Sequence, residues 1–126
     1  MKAYTDLEQS KKLAEILPLE SADYFHAPDA GIVVTEPYKL NLSDETVITG
    51  YKGAIPCWSL AALLSVIPKR IKDYNVLRID ISENDTSIWY DEIGYGVNND
   101  LPDITMEFTI DACYEMIIKL NELKML

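Results

Sequence analysis

The chain has 126 residues, 48% of them apolar and 10% aromatic, which is enough to bury the core of a single domain. Its formal net charge is −10, from 21 acidic against 11 basic side chains. Nucleic-acid phosphates and anionic lipid headgroups both attract cations, so direct binding to either is disfavoured.

The start, MKAYTDLEQSKK, carries no apolar run behind Lys2, so no secretory signal is expected and the chain reads as cytoplasmic. Thr5 and Glu8 have the spacing of a capping box, with Leu7, Leu13, Ala14, Ile16 and Leu17 forming an apolar stripe behind it. A first helix is therefore predicted, ending near Leu17 because Pro18 cannot continue it. Residues 19–53 read as extended chain broken by turns. Pro28-Asp29-Ala30-Gly31 has turn composition, Ile32-Val33-Val34-Thr35 is a β-branched strand, and Pro37 points to a strand end or sheet edge. Thr46-Val47-Ile48-Thr49 is the next strand, closed by Gly50 and Gly53.

Ile55 to Pro68, IPCWSLAALLSVIP, is a run of 14 residues without a charge. As a helix it would rise about 21 Å, short of the roughly 30 Å of bilayer hydrocarbon, so it reads as a central core helix with Pro56 in its first turn. Pro68 closes it, and Lys69, Arg70 and Lys72 follow at its negative end. Asn75 to Ser82 then alternates, with Leu77, Ile79 and Ile81 on one face and Arg78 and Asp80 on the other. Asn84-Asp85 makes a turn and Thr86 to Ile93 returns, a β-hairpin. Gly94 to Pro102 is loop, and Asp103 to Phe108 adds a short strand. The last helix is expected near Thr109 as N-cap, with Asp111 in its first turn. Its apolar face is Ala112, Cys113, Met116, Ile117, Leu120 and Leu123. These elements predict one α+β domain over 1–126, an antiparallel sheet built from hairpins and packed with three helices in the order α-β-β-α-β-β-α.

Three segments, Leu7 to Asp23, Ile55 to Pro68 and Asp111 to Lys124, together resemble short acidic proteins encoded by gut Bacteroidetes, their phages and other mobile elements. The segments are the predicted helices, so the resemblance implies a shared fold and a mobile-element accessory role. It implies no catalytic or binding residue. Where such relatives often enter the last helix through Asn-Pro, this chain has Thr109-Ile110.

Residues that could carry chemistry are few. His26 is the single histidine and lacks a nucleophile at a meaningful spacing. Cys57 and Cys113 lie in predicted helices on apolar faces and read as buried free thiols. One histidine and two distant cysteines make no zinc set. Asp80, Ser82, Asn84, Thr86 and Asp91 mimic the oxygen spacing of a calcium loop, but Asp85 stands where glycine is needed, so a solvated turn is expected. Gly94-Tyr95-Gly96 and Gly50-Tyr51-Lys52-Gly53 have no phosphate-loop context. No metal and no cofactor are expected.

The charge is uneven. From Asp73 to Glu107 there are nine acids and one base, Arg78. Trp89, Tyr90 and Tyr95, with Asp91 and Glu92, lie in this stretch, and adjacent strand residues point to opposite faces, so Trp89 and Tyr90 cannot share one core. The expectation is a non-enzymatic accessory protein that binds another protein through this acidic, aromatic-containing face. Two alternatives stand beside it: an acidic nucleic-acid mimic that inhibits a DNA-binding protein, and a small-ligand binder or enzyme with a pocket near His26 and Cys57. A sheet edge near Pro37 or Asp103 could also pair with a second copy.

Overall fold

The computed structural model describes residues 2–27, 32–35, 47–48, 51–52, 54–72, 74–93, 96–97 and 100–126. It is an α+β structure: among the described residues there are three α-helices with antiparallel sheets, and every strand pairing is antiparallel. The chain divides into two compact units, Ala3–Ala62 and Leu63–Leu126 together with Lys2.

In the first unit, α1 spans Leu7–Ala14 and is followed by a 3₁₀ turn at Leu19–Ser21. The capping box exists, one residue later than the sequence suggests. Asp6 is the N-cap: its carboxylate accepts from the Gln9 amide at 2.8 Å, and the Gln9 side chain accepts from the Asp6 amide at 3.1 Å. Loss of such a cap costs about 1 kcal/mol. Thr5 serves the core instead. It is fully buried, its hydroxyl lies 2.8 Å from that of Ser10 and accepts from the Trp58 amide at 3.1 Å.

The unit's main sheet has the order β2-β1-β5, from β1 (Tyr24–Ala27), β2 (Ile32–Thr35) and β5 (Ile55–Cys57). A two-stranded ladder pairs β3 (Val47–Ile48) with β4 (Tyr51–Lys52). The expected turn at 28–31, Pro37 and the glycines at 50 and 53 lie outside the described residues. Phe25 of β1 is fully buried and forms a core cluster with Ala54, against which Leu19 packs. α1 lies against β5.

The uncharged tract is not one helix. Its first three residues are β5, so Pro56 and Cys57 sit on a strand rather than in a helix. Proline is tolerated there because β5 ends its sheet, where an amide donor is dispensable. Trp58 follows, fully buried, and its indole N–H donates to the Ser21 hydroxyl at 2.9 Å. α2 covers only Leu60–Val66. Ser59 opens it: the Ala62 amide donates to the Ser59 hydroxyl at 3.2 Å, while Asp23 accepts from both the Ser59 amide (2.9 Å) and hydroxyl. Polarity at that helix start thus comes from Asp23, outside the tract.

In the second unit, β6 (Arg70–Ile71), β7 (Asn75–Ile81), β8 (Thr86–Glu92), β9 (Gly96–Val97) and β10 (Asp103–Met106) make one sheet. The order is β10-β8-β7-β6, with β9 beside β8. Since β7 pairs along the whole of β8, β9 and β10 share its other edge, β9 opposite Asp91 and Glu92 and β10 opposite Thr86 to Trp89. The predicted hairpin is therefore present within a residue at each end.

α3 (Thr109–Glu122) lies across β8 and β10. Ala112, Cys113, Met116, Ile117 and Leu120 are buried, as its apolar periodicity predicts. Its N-cap is Phe108 rather than Thr109, whose hydroxyl lies 2.8 Å from that of buried Thr86. Leu123 falls beyond the helix and is 46% exposed. The helix ends in a Schellman turn, with Lys124 (φ 58°) donating to Asn121 at 3.0 Å and Met125 to Leu120 at 2.9 Å. Lysine in the left-handed region hides this stop from a sequence search for glycine.

Candidate interaction surface

Strand β8 sorts its side chains by parity. Thr86, Ile88 and Tyr90 are buried on the side that α3 covers, while Ser87, Trp89 and Asp91 point to the opposite, outer face and are half-buried. Tyr90 is fully buried, and its hydroxyl donates to the Pro68 carbonyl at 2.6 Å. Burial pushes its phenol well above the usual tyrosine range. Tyr90 is thereby corrected from candidate anchor to core residue: its ring fills the interior and its single polar atom is satisfied there. Glu92 shares its parity and so leaves the outer face as well. Tyr95 lies outside the described residues.

Trp89 and Asp91 remain on the outer face, and register supplies neighbours that sequence reading missed. Arg78 lies directly opposite Trp89 on β7, and Asp103 opposite it on β10. Val76 lies opposite Asp91, and Asp80 opposite Ser87. Arg78 Nε reaches Asp91 Oδ2 at 3.5 Å, a diagonal pair beside the indole. The Ser87 and Thr105 hydroxyls lie 2.8 Å apart across β8 and β10. Beyond the ladder, the Ile93 amide donates to the Tyr74 carbonyl at 2.9 Å, and these two residues are 51% and 69% exposed. Continued in register, they set an apolar pair at the end of the same face. The resulting surface has Trp89 at its centre, carboxylates on both flanking strands and one arginine already engaged. Its members come from three strands, and only cross-strand register unites them.

The calcium-like spacing has a different use. The Ser82 hydroxyl lies 2.8 Å from Asp85 Oδ1, and the Ser82 amide donates to the Asp85 carbonyl at 2.8 Å, so these groups close the β7–β8 turn. Among the described residues no group of three or more His, Cys, Asp or Glu side chains is placed to hold a metal ion. No described helix is long and apolar enough to cross a membrane.

His26 and Cys57 are held by packing and hydrogen bonding within the first unit. The His26 imidazole Nε2 lies 2.8 Å from the Thr5 carbonyl, to which it donates, and the ring meets Tyr4 edge-on at 5.9 Å. Cys57 and Cys113 are free, fully buried thiols. Burial, with the nearby charge of Asp23, pushes the Cys57 thiol up to about 12; burial pushes Cys113 up to about 11 despite the opposing effect of Lys69. A cleft of about 390 Å³ does lie between α1 and β5, lined by Lys11, Leu17, Leu19, Ala54 and Pro56 among others, but neither His26 nor Cys57 lines it.

No protein-family model, no curated protein and no solved structure matches this chain.

Proposed function

We propose that the chain is a non-enzymatic, cytoplasmic accessory protein that binds a basic surface of another protein on the outer face of its five-stranded sheet. One observation carries the reading: Trp89 stands half-buried at the centre of that face with Asp103 beside it, Asp91 along its own strand and Asp80 diagonally across. An aromatic face ringed by carboxylates is suited to the guanidinium or ammonium of a partner, through cation–π attraction and charge pairing together. Exposed Tyr74 and Ile93 add apolar area at one end of the face. Aromatic side chains concentrate binding energy when a partner excludes water around them, and the surrounding acids accelerate encounter.

Nucleic-acid mimicry is the weaker reading of the same charge. A mimic needs an uninterrupted array of negative groups, and Arg78 sits in the middle of this face bonded to Asp91.

The reading is tested by affinity capture from the source cells with the wild-type chain and two variants, Trp89→Ala and Asp103→Lys. The expected result is a basic protein retained by the wild type, with each variant weakening the purified complex by at least about tenfold and added salt weakening it further. A complex indifferent to both substitutions and to salt contradicts the proposal.

A further inference from the structure

β10 closes the sheet on one side. It pairs with β8, and among the described residues no strand covers its other edge, so every second residue of Asp103–Met106 turns its amide and carbonyl outward. Beside that edge runs a groove of about 330 Å³ between β10 and the end of α3, where Leu101, Ile104 and Leu123 supply the apolar lining and Asp103, Lys119 and Glu122 the polar rim. Leu123 is 46% exposed, an apolar side chain left in water beside the open strand. Proteins protect such edges with short strands and charges, and β10 is short and begins with aspartate. That charge disfavours an acidic strand and favours a basic one.

We propose that β10 accepts an extended basic segment of the partner protein as an added antiparallel strand. This deepens the function proposed above and rests on it, because it names the docking mode of the same basic partner. Side chains alternate along β10: Asp103 and Thr105 face outward with Trp89, while Ile104 and Met106 face the side of α3. An incoming strand that alternates basic and β-branched residues meets Asp103 with its cations and the Leu101–Leu123 groove with its apolar side chains, while its backbone satisfies the open amides and carbonyls. A second copy of the chain is a poorer occupant. It would bring Asp100, Asp103, Glu107 and Glu122 against their own equivalents, with Lys119 already paired to Glu122 at 3.8 Å.

The test uses the whole chain and a short capped peptide alternating lysine and valine, compared with the same peptide N-methylated at every second residue and with a block arrangement of equal charge. Binding is read by fluorescence anisotropy, and the edge itself by amide hydrogen exchange at Asp103–Met106. The expected result is binding of the alternating peptide alone, slowed exchange at those amides, and a loss of at least about tenfold on N-methylation or on Asp103→Lys. Equal binding of all three peptides, with affinity lost in Trp89→Ala, overturns strand addition but leaves the outer-face reading standing. Absence of binding by any basic peptide overturns both. A free chain that sediments as a dimer with those amides already protected overturns the proposal in favour of self-pairing.

Discussion

Tyr90→Ala is expected to destabilise the chain by about 3–5 kcal/mol, whereas Trp89→Ala, one residue away and larger by a ring, costs about 1 kcal/mol or less. The contrast follows from parity on β8. Tyr90 has no exposed surface, so its removal leaves a cavity beneath α3 and strips the Pro68 carbonyl of its 2.6 Å donor. Trp89 lies on the other side of the strand, half-buried, opposite Arg78 and Asp103, so its removal opens no sealed cavity. Tyr90→Phe isolates the hydroxyl: the cavity is avoided and the lone unpaired carbonyl costs about 1–3 kcal/mol. Denaturant midpoints of the three variants, followed by circular dichroism, check the ordering. Equal losses for Tyr90→Ala and Trp89→Ala would mean that β8 does not divide its side chains as described.

Trp58→Ala should be comparably damaging in the first unit, at about 3–5 kcal/mol. Trp58 joins elements far apart in sequence. Its amide donates to the Thr5 hydroxyl, its carbonyl accepts from the Thr5 amide at 2.9 Å, and its indole donates to Ser21. The backbone bonds can survive substitution, so the loss comes from the buried ring and its hydrogen bond to Ser21, whose hydroxyl still donates to the Pro18 carbonyl at 2.6 Å. Trp58→Phe refills most of the volume and should recover more than half of the deficit. If Trp58→Ala melts like the wild type, the uncharged tract does not form the centre of that unit.

What the sequence made legible were features whose signal is local. The β7–β8 hairpin shows in the alternation from Asn75 to Glu92, and α3 in the helical spacing of Ala112, Cys113, Met116, Ile117 and Leu120, five of its six buried residues. The capping box was displaced by one residue because Thr5/Glu8 and Asp6/Gln9 have the same spacing. What separates them is Trp58, which occupies the Thr5 hydroxyl from more than fifty positions away. The tract from Ile55 reads as one helix because Pro56 suits a first turn equally well, and only pairing with β1 makes its first three residues a strand. β1 itself, Tyr-Phe-His-Ala, has little β-branched character and becomes a strand through partners on both sides. The interaction face was half legible. Parity separates Trp89 from Tyr90, but which of them faces the core is decided by the side on which α3 lands. Arg78 and Asp103 join Trp89 only through register.

Trp89 is half-buried on a predominantly acidic face, whereas the other indole, Trp58, is sealed. Collisional quenching of tryptophan fluorescence tests this directly, with caesium and iodide as cationic and anionic quenchers. One of the two indoles is expected to be quenched, more by caesium than by iodide, with Trp89→Phe abolishing the quenching and Trp58→Phe preserving it. Quenching that survives in Trp89→Phe, or that favours iodide, would contradict this placement of Trp89.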